Sequence, residues 1–443
     1  MKFNKWTLGL AAVGAVSLTS AARADEKPSA VQTALSNTTI SGSVSASAQV
    51  ALDPNAAAYY NSVAGAIPFQ YGKQDGFNLD VVRLTIAKPE DESPWASGYQ
   101  VDLMFGPDAV GYNPSANGNQ SEDFAIKQAY ITLRTPVGNG IDWKIGVFDT
   151  VIGYEVTDAG NNPNYTRSWG YAVEPTEHTG ILATYKINDM FTVSAGIANT
   201  LSAGINTRNT SNGGPSSDWK KTVMGSVAMT APSSWGWAAG SQAYVGAVYG
   251  NNAAGGAVGS FGGGSGGANG YAAGDQFNGY AGITLNTPCK ALTVGAAFDY
   301  VQNLGGGTKS NTYNYNTYNY VGTYSSSEHH VDVSVVGLYA TYKATDKLSL
   351  NARGEWAHGD LHSYSAFQNF GESTASGVSS SDNTGDAYEL TGTVEYDLWA
   401  NVMSRVEVRW DHLAEGTRAI TGSTDVNFHR SALGLYANVI YKF

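Results

Sequence analysis

The chain is 443 residues long, with 25 basic and 37 acidic residues and a net charge of −12. Only 14% of it is charged, against about 25% in ordinary soluble domains. Glycine contributes 53 residues and tyrosine 27, aromatics are 12%, and mean hydropathy is only −0.22. This excludes a helical membrane protein, which needs runs of about 20 apolar residues, and a disordered chain, which would carry few aromatics and much charge. What remains is a β protein whose apolar residues are spread out by alternation, the profile of a membrane β-barrel.

The one long apolar stretch opens the chain. Lys2 and Lys5 precede an Ala/Gly-rich apolar core from Trp6 to Leu18, and Ala22-Arg23-Ala24 has the small-x-small form of a cleavage site. Residues 1–24 therefore read as a secretory signal peptide cleaved after Ala24, because the core is shorter than a membrane span requires. No cysteine follows the cleavage point, which argues against a lipoprotein, and the single Cys289 permits no internal disulfide. Loss of Lys2, Lys5 and Arg23 leaves 22 basic against 37 acidic residues, a net of −15. Such a charge disfavours nucleic acid and anionic lipid as partners.

Residues 25–37 read as an N-terminal periplasmic lead, and 38–443 as one barrel. Period-2 alternation recurs over segments of ten or more residues, the length that crosses a bilayer as a tilted strand. Sixteen such segments are expected: 38–52, 77–88, 97–106, 124–135, 141–149, 176–187, 190–200, 220–231, 237–250, 276–287, 290–303, 330–343, 347–360, 386–398, 401–415 and 428–443. Short connections rich in turn residues alternate with long ones along the whole chain. The expected fold class is an all-β, transmembrane, up-and-down antiparallel barrel of about 16 strands, with short periplasmic turns and long outer loops. Parity breaks midway through 77–88 and 330–343, so a bulge or a misplaced register is expected in each.

Charge follows the same alternation. In 401–415, Arg405, Glu407, Arg409 and Asp411 share one face, while Val402, Val406, Val408 and Trp410 share the other. Arg353 and Glu355 oppose Leu348, Leu350, Ala352 and Trp356, and Glu389 and Glu395 oppose Tyr388, Leu390 and Val394. A cation facing lipid near the midplane costs about 2–4 kcal/mol, so these rows are expected to line a wet lumen. Sixteen strands leave space for water there. At the C-terminus Leu433, Leu435, Ala437, Val439, Tyr441 and Phe443 alternate to the last residue. A strand of this form with a terminal Phe resembles the insertion signal read by the outer-membrane barrel assembly machinery.

The loop 150–175 carries Gly153-Tyr154-Glu155, Asn164-Tyr165-Thr166-Arg167-Ser168 and Pro175, and leads into His178-Thr179-Gly180; the strand at 190–200 ends at Asn199. This run resembles the OmpL-like outer-membrane β-barrel porin family of Gram-negative bacteria. The resemblance covers most of the mature chain in layout, with its specific residues concentrated in 150–200. By analogy with general porins, this third long loop folds inward, and Glu155, Asp158, Arg167 and Glu174 define an eyelet. The alternative is an outer loop held by local bonds, with Arg167 paired to Glu155.

Other motifs are weaker. His358-Gly359-Asp360-Leu361-His362 spaces three potential metal ligands on one strand face, against the reading of a polar strand end at the rim. His329-His330 reads as solvated. The Gly-rich 251–275 lacks the Lys-Ser/Thr ending of a phosphate loop, and 311–320 is an Asn/Tyr tract of low complexity. No spacing singles out a catalytic nucleophile. The expected function is an outer-membrane channel for passive diffusion of small hydrophilic solutes or ions, with outer-membrane lipid around it, no cofactor, a mild cation preference from its charge, and a homotrimer by analogy. A substrate-specific channel, a barrel enzyme and an adhesin stay open as alternatives.

Overall fold

The computed structural model describes residues 38–52, 73, 75–112, 123–201, 205, 221–251, 275–302, 308–311, 326–329, 332–360, 384–414 and 431–443. The signal segment, the 25–37 lead, most of 251–275, the tract 312–320, His330 and His362 lie outside the described residues.

Sixteen long strands form the barrel. They are β1 (Thr39–Ala51), β2 (Gly76–Lys88), β3 (Ser97–Phe105), β4 (Phe124–Thr135), β5 (Ile141–Asp149), β6 (Glu177–Lys186), β7 (Phe191–Ala198) and β8 (Thr222–Thr230). The second half holds β9 (Gln242–Asn251), β10 (Asp275–Asn286), β11 (Leu292–Gln302), β12 (Val333–Lys343), β13 (Leu348–Asp360), β14 (Thr384–Trp399), β15 (Val402–Leu413) and β16 (Ser431–Lys442). Each pairs antiparallel with its sequence neighbours, and β16 returns to β1 with Ser43 opposite Lys442 and Ala51 opposite Gly434, which closes the sheet. Closure satisfies every ladder group within the barrel, as lipid demands. Two short segments, Thr308–Asn311 and Ser326–His329, pair separately above the wall in the long connection between β11 and β12.

The outward faces are apolar. Leu338, Leu390, Val245 and Val406 are each more than half exposed. A continuous apolar band of this size around a closed sheet is a lipid-facing surface. Trp95, Trp235, Trp237 and Trp399 stand exposed at the short turns, where aromatic rings sit at the membrane–water boundary. The turns themselves follow local chemistry. The Asn188 side chain accepts from the amides of Met190 and Phe191, both at 2.8 Å, and Asn401 takes the left-handed φ of +67° that asparagine tolerates.

The bulge expected in 77–88 is present. The register against β1 shifts between Ser45 and Ala46, so that Asp80 turns inward to accept from Ser45 Oγ at 2.7 Å and Ser47 Oγ at 2.6 Å. In 330–343 no bulge forms among the described residues. β12 pairs without a shift on both sides, and Val333 and Val335 point inward. Their inward face is apolar because Trp169, Ala172 and Val173, brought from the loop 150–175, pack with them in one buried cluster.

Candidate functional site

The loop 150–175 is the third long connection, and it lies inside the barrel. Nearly all of it is buried; Asp158, Ala159 and Asn161 keep partial exposure. Its two ends rise beside β5 and β6, and Gly153 takes a φ of +121°, a conformation that L side chains rarely adopt. At the far end Ser168 caps a single helical turn, Trp169–Val173, by accepting from Tyr171 N at 3.0 Å.

The charged rows of β13–β15 bind this loop. Arg353 is the centre: its Nη1 donates to Glu155 Oε1 and to Thr166 O, both at 2.7 Å, while Nε and Nη2 hold Glu389 at 3.2 and 3.1 Å. Glu355 accepts from the amides of Trp169 at 2.7 Å and Gly170 at 3.0 Å. Glu407 accepts from Tyr165 N at 2.5 Å, Thr166 N at 2.9 Å and Thr166 Oγ1 at 2.6 Å, and from Thr393 Oγ1 of the neighbouring strand at 2.7 Å. Arg405 Nη1 donates to the carbonyls of Ala159, Asn162 and Asn164, and Arg409 Nη1 to that of Arg167 at 2.6 Å while its other nitrogens hold Asp411. Lys442 Nζ reaches Gly160 O at 3.0 Å. Loop carbonyls thus meet wall cations, and loop amides meet wall carboxylates. These are charge-assisted bonds between buried groups.

On the other side the loop is apolar. Val151, Ile152, Tyr154, Trp169, Ala172 and Val173 pack on inward residues of β8–β12 such as Met224, Tyr280, Ala297 and Val335. Tyr154 stacks on Tyr339 with ring centroids 4.0 Å apart, and the Tyr244 hydroxyl donates to Val151 O. Gly246 makes room for this contact: a Cβ there would lie 2.8 Å from Ile152 Cγ2 and 3.0 Å from Val151 O. The short 3-10 turn Pro107–Tyr112 adds a further contact, with the hydroxyls of Tyr112 and Tyr171 2.7 Å apart.

The expected site residues are therefore brought together, but in a dry setting. Glu155, Arg167, Glu174, Arg353, Glu355, Glu389, Glu395, Arg405, Glu407, Arg409 and Asp411 are all buried, and Asp158 alone of that set stays partly exposed. The rows expected against water are covered by the loop, whose backbone offers them partners. Arg167 does not pair with Glu155. Its Nη2 donates to Thr157 O at 2.5 Å and its guanidinium lies over the Tyr171 ring at 5.5 Å, whereas Glu155 accepts from Ser168 N and Arg353. Burial would raise the Asp158 carboxyl; the Arg83 and Lys442 charges outweigh it and hold that group below the ordinary carboxylate range. Burial, reinforced by the Asp299 carboxylate beside it, pushes Glu174 well above that range.

Partial water access survives along the inner wall of β2–β5, towards the short turns. Arg83, Thr85, Gln100, Tyr130, Thr132 and Lys144 point inward there and keep partial exposure. Sequence reasoning did not select them. The parity that sets Asp142 and Lys144 against Ile141, Trp143 and Ile145 was the available signal. His358 sits on the outward face with Nδ1 2.9 Å from Asp386, and among the described residues no three His, Cys, Asp or Glu side chains form a metal-holding group.

The profile of the OmpL-like beta-barrel porin-2 family matches residues 37–443. The chain belongs to this family. It is thus an outer-membrane porin, and its closed sixteen-stranded barrel is the fold of solved porins. An anion-selective porin from Comamonas acidovorans is similar over 92% of this chain and 99% of its own, at 12% identity and a TM-score of 0.52. OmpF of Salmonella typhi, solved with daunomycin, matches over 92% and 97% at 12% identity and 0.51. OmpT of Vibrio cholerae in its trimer form matches over 92% and 99% at 13% identity and 0.50. No curated relative matches by sequence.

Proposed function

We propose that the porin passes small hydrophilic solutes and ions by passive diffusion along a path narrowed by the fixed loop 150–175. The path runs between the loop tip, Asp158–Asn161, and the inner wall of β2–β5. The single observation that supports this is the docking of the loop: its carbonyls and amides are matched by buried charges on β13–β15, so it narrows the lumen without being free to swing out. Of the residues expected to line a constriction, Asp158 faces the solute path. Glu155, Arg167, Glu174, Arg353, Glu355, Arg405, Glu407 and Arg409 act by holding the loop, while Glu389, Glu395 and Asp411 act through Arg353, Arg405 and Arg409 beside them. No covalent chemistry belongs to this reading.

Export follows from the signal segment, with cleavage after Ala24, and insertion from β16 and the Phe443 that follows it, presented to the barrel assembly machinery. Three copies assembling into a trimer is in keeping with the trimer form of Vibrio cholerae OmpT. Stepwise single-channel conductance of refolded protein in planar bilayers tests the diffusion reading, and absence of conductance from correctly inserted protein would sink it. Block of the current by one solute class at low concentration would instead favour a substrate-specific channel.

A further inference from the structure

Almost every charge on the accessible wall is occupied. Asp102 accepts from Arg83 Nη2 at 3.4 Å, Thr85 Oγ1 at 2.6 Å, Gln100 Nε2 at 2.9 Å and Gln128 Nε2 at 2.8 Å. Arg134 pairs with Asp142 at 2.6 Å, and Lys127 lies between Asp149 at 2.5 Å and Glu177 at 2.6 Å. Asp158 accepts from Gly160 N at 3.0 Å and Asn161 Nδ2 at 3.1 Å.

Lys144 breaks this pattern. It points inward from β5, where it is the fourth residue from the short-turn end, and keeps partial exposure. Its cross-strand neighbours are Thr132 and Leu182, neither charged. Its Nζ lies 4.9 Å from the centroid of the Tyr130 ring, and among the described residues no carboxylate comes within ion-pair distance. A ring face attracts the charge but accepts none of the three N–H groups conventionally, so these are left for water or solute. Arg83 Nη1 also has no acceptor, but that atom is buried, so Arg83 acts on the site through its charge and not by direct contact. Both cations lie in the field of Asp102 and Asp149; Arg83 also faces Asp158, and Lys144 also faces Glu90. A passing cation, by contrast, meets acids whose oxygens are already in use.

We propose that Lys144, aided by Arg83, forms a transient binding subsite for small anionic solutes, namely carboxylates and inorganic phosphate, on the short-turn side of the loop. This rests on the porin reading above. The subsite sets the sign of selectivity, so that the channel favours anions although the mature chain carries −15. That total counts carboxylates such as Glu407 and Glu389, which are buried and saturated by donors. One ammonium beside water binds weakly enough to release its ligand, which conduction requires.

The test uses the full mature chain refolded into planar bilayers of neutral lipid, with a KCl gradient and inorganic phosphate as the probe. Wild type is expected to show a reversal potential on the anion side and a chloride current reduced by phosphate. Lys144→Gln should move the reversal potential towards cations and weaken phosphate block about three- to fivefold, the scale of one solvent-screened ion pair. Lys144→Arg should keep both properties. A cation-selective wild type, or a Lys144→Gln channel with unchanged selectivity and block, overturns the subsite. If Lys144→Gln does not insert, the sign of the wild-type potential and its response to phosphate still decide. Absence of any wild-type conductance overturns the porin reading itself, a result distinct from the others.

Discussion

Replacement of Glu407 by alanine removes three bonds between loop and wall at one side chain. Three loop donors lose their acceptor: Tyr165 N, Thr166 N and Thr166 Oγ1. Bonds to a charged acceptor contribute about 1.5–3 kcal/mol each, and stranded buried donors add a penalty of their own. Water entering the space left by the side chain offsets part of this. A net loss of roughly 3–5 kcal/mol in loop docking remains, which raises the undocked population roughly 100- to 4,000-fold at 1.4 kcal/mol per decade. Arg167 supplies the reporter. It is the only Lys or Arg between residues 150 and 175, it is buried, and its carbonyl is held by Arg409. Trypsin should therefore leave the 167–168 bond intact in folded wild type and cut it in Glu407→Ala, with the fragment ending at Arg167 followed by mass spectrometry. Glu407→Gln, which retains one accepting oxygen, should fall between the two. If Glu407→Ala stays folded as a barrel and Arg167 is cut no faster, the polar seat is not what holds the loop, and the apolar contacts of Trp169 and Ile152 suffice.

Three further outcomes follow from the same geometry. Because the Glu174 carboxyl is raised by burial and by Asp299, its proton is part of the docked loop: that stability is complete below the ordinary carboxylate range and is lost as pH rises through the group's own raised value. Alkaline pH should hence increase cleavage at Arg167, and Glu174→Gln should flatten this dependence; an unchanged pH profile in the variant would refute it. Gly246→Val should push Ile152 and Val151 off the wall, costing about 1–3 kcal/mol in urea unfolding and altering conductance, while Gly392→Ala, which meets open space, should do neither. Cys289 is exposed in a short turn, so a membrane-impermeant maleimide should label it only after the outer membrane is permeabilised; labelling in intact cells would invert the topology.

The strands were legible because lipid and lumen impose opposite demands on alternate residues. In β15 the sequence Arg405-Val406-Glu407-Val408-Arg409 permits one orientation, and the barrel adopts it. The break in 77–88 was legible for the same reason, since Leu79 and Val82, of opposite parity, can both face lipid only with an extra residue between them, here Asp80. The break in 330–343 misled because a lumen wall need not be polar where it is covered, and nothing local announces that Trp169 will cover Val333 and Val335. The loop's seat was invisible for a related reason. Tyr165 and Glu407 are 242 residues apart, and the bond between them involves a backbone amide, which carries no side-chain signature. Lys144 obeys the parity rule, but an inward lysine stands out only when its neighbours' acids are seen to be engaged elsewhere.

The wall uses buried charge where an apolar seat would have sufficed for binding energy alone. Buried ion pairs contribute little net stability relative to apolar packing, but each has few acceptable geometries. The loop has both kinds of contact, and they divide by side. Against β8–β12 it packs Ile152, Tyr154 and Trp169, contacts that tolerate sliding. Against β13–β15 it is held residue by residue from Ala159 to Gly170, with carbonyls on Arg353, Arg405 and Arg409 and amides on Glu355 and Glu407. A sliding loop would leave several of these charges unpaired at once, at a cost far above that of any single apolar contact. The fixed side therefore sets where the tip, Asp158–Asn161, stands relative to Arg83 and Lys442. For the proposed path narrowed by loop 150–175, that placement matters more than tight binding, and the distribution of charge over β13–β15 provides it.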